Sequence, residues 1–209
     1  MSIEIWMAYA VAATVIIVIP GPTILLVITQ SVAHGSRATV PLVLGVMVGD
    51  AGAVTLSLLG LGAIMATSAA LFTAIKWVGA LYLIYLGISL WRSRGAPVAS
   101  GSDDARLGRS ANALFLHAFF VTLFNPKGIV FFIAFLPQFV NPGGDVVFQL
   151  TLLATTFVVI GTANAALYAV FSGALKKLLS EERSLRWFNR CGGTALVGAG
   201  VFTAATQRA

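Results

Sequence analysis

The chain has 209 residues, of which 58% are hydrophobic and 10% charged, with a mean hydropathy of +0.94. A water-soluble domain carries roughly 25% charged residues to cover its surface, so this composition excludes a soluble globule and indicates a membrane protein. The net charge of +6 does not indicate a nucleic-acid binder, because most Lys and Arg fall in two short connectors, residues 92–109 and 176–190, rather than on a folded basic face.

Six spans are predicted, at about 5–33, 39–64, 71–91, 111–139, 146–174 and 188–207. Each is near or above the roughly 20 apolar residues that a helix needs to cross a ~30 Å hydrocarbon core. All are read as helices, because no stretch alternates with the ~10-residue strand pattern of a membrane barrel. The first run follows Glu4 rather than a basic segment and exceeds the length of a secretory signal's apolar core, so it is expected to be a span and not a cleaved leader. Lys76 lies close enough to the start of the third span to snorkel to the headgroups. Ser180 with Glu181 and Glu182 is a candidate cap for a short helix, with Leu185, Trp187 and Phe188 along the membrane surface; a solvated basic loop fits these residues equally well.

Orientation follows from the connectors. Arg37 lies in the first; Arg92, Arg94, Arg106 and Arg109 lie at the third; Lys176, Lys177, Arg183, Arg186 and Arg190 lie at the fifth. The opposite side has Lys76 and Arg208. Lys and Arg gather on the cytoplasmic side, so both termini are expected outside, with Trp91, Trp187 and Trp6 at the interfaces. The Ser-, Gly- and Pro-rich segment at about 93–109 reads as a cytoplasmic linker within one transporter domain, dividing half 1 (about 1–92) from half 2 (about 110–209).

The halves share features. Pro20-Gly21-Pro22 breaks the first span and Asn125-Pro126-Lys127 breaks the fourth. Gly79, Leu83 and Gly87 in the third span recur as Gly192, Leu196 and Gly200 in the sixth, offset by 113. Each half holds an odd number of spans, so the second enters the membrane inverted, and matched breaks in inverted repeats indicate a transporter with its site at the midplane. The expected fold is therefore all-α and polytopic, with six transmembrane helices as two inverted three-helix repeats. A Pro-Gly-Pro run frees carbonyls before it and amides after it. The segment from Thr23 thus presents a positive half-helix end on which a carboxylate fits.

Asp50 and Lys127 are the charged residues far from every predicted border. Each costs roughly 2.5–3.5 kcal/mol at a helix centre, which favours an interior pathway over a lipid face. Asp50 follows Gly45-xxx-Gly49, a pattern that admits another helix closely. Asn125, Asn164 and Gln138 add polar groups. Lys127 with the helix end suits a carboxylate, and Asp50 suits an ammonium or a coupling proton. A plain Asp50–Lys127 ion pair locking two helices is the structural alternative.

His117 and His34 have no second ligand at metal spacing on their own helices, and lone Cys191 excludes disulfides within the chain and thiolate cages. No metal site and no cofactor are expected. Nucleotide-loop, zinc-protease and serine-hydrolase signatures are absent, so the chain does not read as an enzyme.

Pro20-Gly21-Pro22, Gly49-Asp50, the run from Lys76 to Leu83 with Leu86-Gly87, Asn125-Pro126-Lys127 and Phe135-Leu136-Pro137-Gln138-Phe139 occur in an order that resembles the LysE/RhtB family of bacterial amino-acid exporters. Thr23 departs from the resemblance, standing where such proteins often have Asn or Asp. The resemblance implies a six-helix inner-membrane protein that expels a small amino acid or derivative in exchange for protons. The substrate-binding candidates are Pro20, Gly21, Pro22, Thr23, Asp50, Asn125, Pro126, Lys127 and Asn164, with Asp50 also the proton-coupling candidate. The partners implied are a small amino acid, protons and the lipid bilayer, with a homodimer left open and no nucleic acid. A divalent-cation exporter and a non-transporting membrane subunit remain the alternatives.

Overall fold

In a computed structural model, residues 1–67, 69–92, 110–141, 143–174 and 182–205 are described, and they are helical with no strand among them. The elements in chain order are α1 (Ile3–Val18), α2 (Pro22–His34), a 3-10 turn (Gly35–Ala38), α3 (Thr39–Thr67), α4 (Ala69–Arg92), α5 (Ala111–Leu123) and α6 (Pro126–Val130). A π-helical turn (Phe131–Phe135), a 3-10 turn (Leu136–Phe139), α7 (Val146–Val170) and α8 (Glu182–Ala205) complete the chain. The linker expected at 93–109, the cap expected at Ser180 and Glu181, and the side chains of Lys76, Leu185 and Phe188 lie outside the described residues.

Among the described residues, three helical stretches are long and apolar enough to cross a membrane: Pro22–Gly60, Thr73–Arg92 and Val146–Val170. A fourth forms if Ala111–Leu123 and Pro126–Phe139, bent by 40° at their junction, count as one broken span. Pro22–Gly60 is 39 residues long, nearly twice what a ~30 Å core requires at 1.5 Å per residue. It divides at Gly35, whose φ of 65° ends α2 at little steric cost. Ile3–Val18 is a shorter apolar helix.

Helix faces are distinguished by partner rather than by polarity. On α1, Tyr9, Ala13, Ile16 and Ile17 are buried while Ile3, Met7, Val11, Val15 and Val18 are exposed. Both faces are apolar, as in a helix that meets protein on one side and lipid on the other. Caps are polar and local: the side chains of Ser2, Ser110 and Asp145 accept from the amides of Ile5, Ala113 and Phe148. Trp6 donates to Thr156, while Trp91 donates to Thr194 and lies under the Arg190 guanidinium at 5.4 Å.

Between helices, contact relies on small residues, since lipid offers no hydrophobic drive for association. α3 packs on α5 and α7, α4 on α8, and α1 and α2 on α7. A methyl group on Gly45 or Gly49 would fall 2.5 Å from the Phe115 carbonyl or 2.7 Å from Thr122 Cβ, so α5 is the helix that this small-residue pattern admits. In the α4–α8 seam, such a group on Gly87 would lie 2.6 Å from the Gly193 carbonyl, and one on Gly200 would lie 2.7 Å from the Ala80 carbonyl. Gly87→Val is therefore expected to force α4 and α8 apart and lower the melting temperature of detergent-solubilised protein by several degrees, consistent with about 1–3 kcal/mol of overpacking. An unchanged melting temperature would mean that the seam is looser than its geometry indicates.

Among the described residues, most buried apolar side chains fall in two clusters. One contains Tyr9, Ile16, Phe131, Phe132, Phe135, Phe139 and Phe157 and is rich in rings. The other contains Ile24, Val27, Ile28, Leu42, Val46, Leu114 and Tyr168 and is mainly aliphatic. The α1/α2 break lies between them.

Candidate functional site

The break follows from two missing donors. In a continuous helix the carbonyls of Ile16 and Val18 would accept from residues 20 and 22, but both are proline and have no N–H. The chain leaves the helix at Ile19, which is extended, so the carbonyls of Ile17 and Ile19 lose their partners too. Each unpaired carbonyl in an apolar interior costs about 1–3 kcal/mol.

The second half of the chain supplies all four replacements. Lys127 Nζ donates to the Ile16 carbonyl at 3.0 Å and the Ile19 carbonyl at 2.8 Å. Asn164 Nδ2 donates to Ile17 at 3.4 Å, and the Tyr168 hydroxyl donates to Val18 at 3.0 Å. A cation at a helix C-terminus also answers the negative end of its dipole. Gly21 lies against the Lys127 stem, where a methyl group would make ordinary contact at 3.4 Å from Nζ.

The other break is built differently. Asn125 caps α6, accepting from the Lys127 amide at 3.1 Å, with Pro126 in the first turn where its missing N–H costs nothing. The Asn125 amide donates to Thr23 Oγ1 at 3.1 Å, and Thr122 Oγ1 donates to the same oxygen at 3.4 Å. Thr23 lies in the first turn of α2, whose capping position, Gly21, offers no side-chain cap. The two breaks thus meet at one hydroxyl.

Between them lies a cavity of about 50 Å³, lined by Ile16, Ile17, Thr23, Ile24, Val46, Asp50, Asn125, Lys127, Gly128, Phe157, Gly161 and Asn164. A water needs roughly 10–15 Å³ of such space, so a few would fit. Of the residues expected from sequence, Thr23, Asp50, Asn125, Lys127 and Asn164 meet here. Pro20, Gly21, Pro22 and Pro126 are not in the lining, and Pro22 and Pro126 are exposed. Their effect visible here is on the backbone, whose groups the breaks release.

Lys127 and Asp50 play distinct parts in this geometry. Lys127 gives two of its three donors to carbonyls of α1 and so caps the broken helix. It also makes no ion pair with Asp50 within 4.0 Å, so the two are not simply locked together. Asp50 faces the cavity beside Gly161, where a methyl group would come within 2.6 Å of its Oδ2. Gly161→Ala is expected to push the carboxylate aside and raise the half-saturating concentration of substrate about tenfold with little change in protein level. An unchanged value would show that the carboxylate position is not critical. Gly161, Thr122 and Tyr168 were not singled out in the sequence reading, since a glycine, a threonine and a tyrosine are ordinary residues in an apolar helix. Gln138, noted as a polar group, instead donates to the Ala134 carbonyl at 3.3 Å. Among the described residues no three His, Cys, Asp or Glu side chains converge on a metal position.

The sequence profile of the LysE type translocators matches residues 14–207. The chain belongs to this translocator family. It is 33% identical over 207 residues to an uncharacterised membrane protein of Vibrio cholerae, covering 99% of this chain and all of that one. It is also 31% identical over 209 residues, and over the full length of both chains, to a homoserine/homoserine lactone efflux protein of Salmonella typhimurium. No solved structure matches it significantly. The translocator is a membrane protein, with several apolar helices among its described residues.

Proposed function

We propose that this translocator exports a small amino acid or a close derivative across the bacterial inner membrane in exchange for protons, with both termini outside. The observation that carries the reading is the Asp50 carboxylate facing a largely apolar cavity where two broken helices meet, in a chain that matches an efflux protein along its whole length. Asp50 takes the substrate ammonium on one leg of the cycle and a proton on the other. The substrate carboxyl, free or esterified, lies toward the uncapped start of α2 and the Thr23 hydroxyl, where backbone amides favour electron-rich oxygen. Asn125 and Asn164 keep these ends in register through Thr23 and Ile17.

Alternating access comes from one half rocking on the other. A two-fold inverted relation between halves 1–92 and 110–209, giving six crossings, is supported by the α4–α8 seam. The Gly87–Gly193 approach and the Ala80–Gly200 approach interchange under the same offset of 113 that relates the sequence motifs. The pairing of α3 with α5 and of α7 with α1 follows the same exchange of halves.

The test is transport by purified protein in liposomes with an imposed pH gradient and a panel of labelled amino acids, including homoserine and its lactone. Concentrative, proton-driven movement of at least one is expected. Movement of none, or of a divalent cation instead, overturns the reading.

A further inference from the structure

Tyr9, Ala13 and Ile16 follow each other on the buried face of α1, so Tyr9 stands two turns, about 10 Å, from the Ile16 wall of the cavity. The Tyr9 side chain is fully buried and its hydroxyl has no hydrogen-bond partner. Its ring lies 5.9 Å from Phe131 and 5.3 Å from Phe139, and Phe131 lies 5.3 Å from Phe157 in the cavity wall. A file of rings therefore closes the path from the cavity along α1. Phe131 belongs to the π-helical turn, a geometry rare in general and frequent at functional positions.

The other side of the break repeats this placement. On α2, Gln30 stands seven residues from Thr23 in the cavity wall, and Ser31 seven from Ile24. Both are buried, and Gln30 Oε1 and Ser31 Oγ are also without partners. Buried polar atoms are almost always satisfied, and each exception requires a reason. Here such groups lie at matching distances on the two half-helices that flank the site, where Phe, Leu or Ala would fill the same space without an orphaned atom.

We propose that the Tyr9 hydroxyl on one side, and Gln30 and Ser31 on the other, are the polar steps of the translocation route. They are unpaired while both ends are closed and engage the substrate when either end opens. The aromatic file Phe157–Phe131–Tyr9–Phe139 is then the gate on the side away from the basic loops. The inference rests on the exporter reading and adds to it residues outside the central cavity.

Tyr9→Phe and Ser31→Ala each remove one orphaned oxygen and keep the packing, with the exposed Tyr85→Phe as control. In proteoliposome counterflow with labelled homoserine and its lactone, each test variant is expected to slow the maximal rate at least about fivefold, matching one lost hydrogen bond in the opened state. The half-saturating concentration should change less than twofold. Wild-type rates in either variant would overturn the shared route. So would a raised half-saturating concentration with an unchanged maximal rate, which would place the group in the resting site. If the unsubstituted protein moves neither probe nor any other amino acid, the exporter reading itself falls and the route falls with it.

Discussion

Asp50→Asn is expected to abolish amino-acid counterflow while leaving a folded protein. The side chain is isosteric and, in the present structure, makes no ion pair with Lys127 that the change would break. Its loss therefore falls on the substrate and the proton rather than on the architecture. Removing one partner of a buried charged contact costs about 2–5 kcal/mol, equivalent to a fall of about thirtyfold to several thousandfold. A pH gradient should no longer drive accumulation, because the amide cannot carry the proton. Counterflow and pH-driven uptake, measured at equal protein incorporation with gel filtration to check folding, separate the two roles. Retained pH-driven transport would remove Asp50 from coupling.

Lys127→Met has the opposite emphasis. It keeps the length and much of the volume of the stem but leaves the carbonyls of Ile16 and Ile19 without their donor. At about 1–3 kcal/mol for each abandoned carbonyl, the melting temperature in detergent is expected to fall by roughly 5–15 °C. Transport should fall with it, since the break no longer holds its shape. Tyr168→Phe, which strands only Val18, should show about half that loss of stability. A Lys127→Met protein with unaltered melting temperature and abolished transport would return Lys127 to direct substrate binding and refute the cap.

How much of this could be read from sequence depends on the cost of polar groups in hydrocarbon. Asp50, Lys127, Asn125 and Asn164 stood out because each is expensive in an apolar helix, and the structure brings all four to one cavity. The breaks at Pro20-Gly21-Pro22 and Asn125-Pro126 were legible because proline removes a donor wherever it sits. What sequence could not reveal was which group meets which. The Lys127 ammonium could serve an anion, Asp50 or a helix end, and only the approach of α6 to the end of α1 selects the last. Thr23 looked like a departure from its relatives, yet its hydroxyl is the shared acceptor between the breaks. The π-helical turn was equally hidden, although Pro137, which cannot supply an N–H to the turn before it, is a local reason for one.

That shared acceptor is the weaker of two ties between the breaks. On the α2 side, the hydrogen bonds between the interrupted crossings are a pair of neutral ones to one threonine oxygen, at 3.1 and 3.4 Å. Each is worth about 1 kcal/mol net, within reach of thermal fluctuation. The firmer ties run from Lys127, Asn164 and Tyr168 to α1 alone and leave α2 out. In the proposed cycle the first crossing would accordingly bend at its own midpoint, α1 held by directed hydrogen bonds and α2 by apolar packing on α5 and α7.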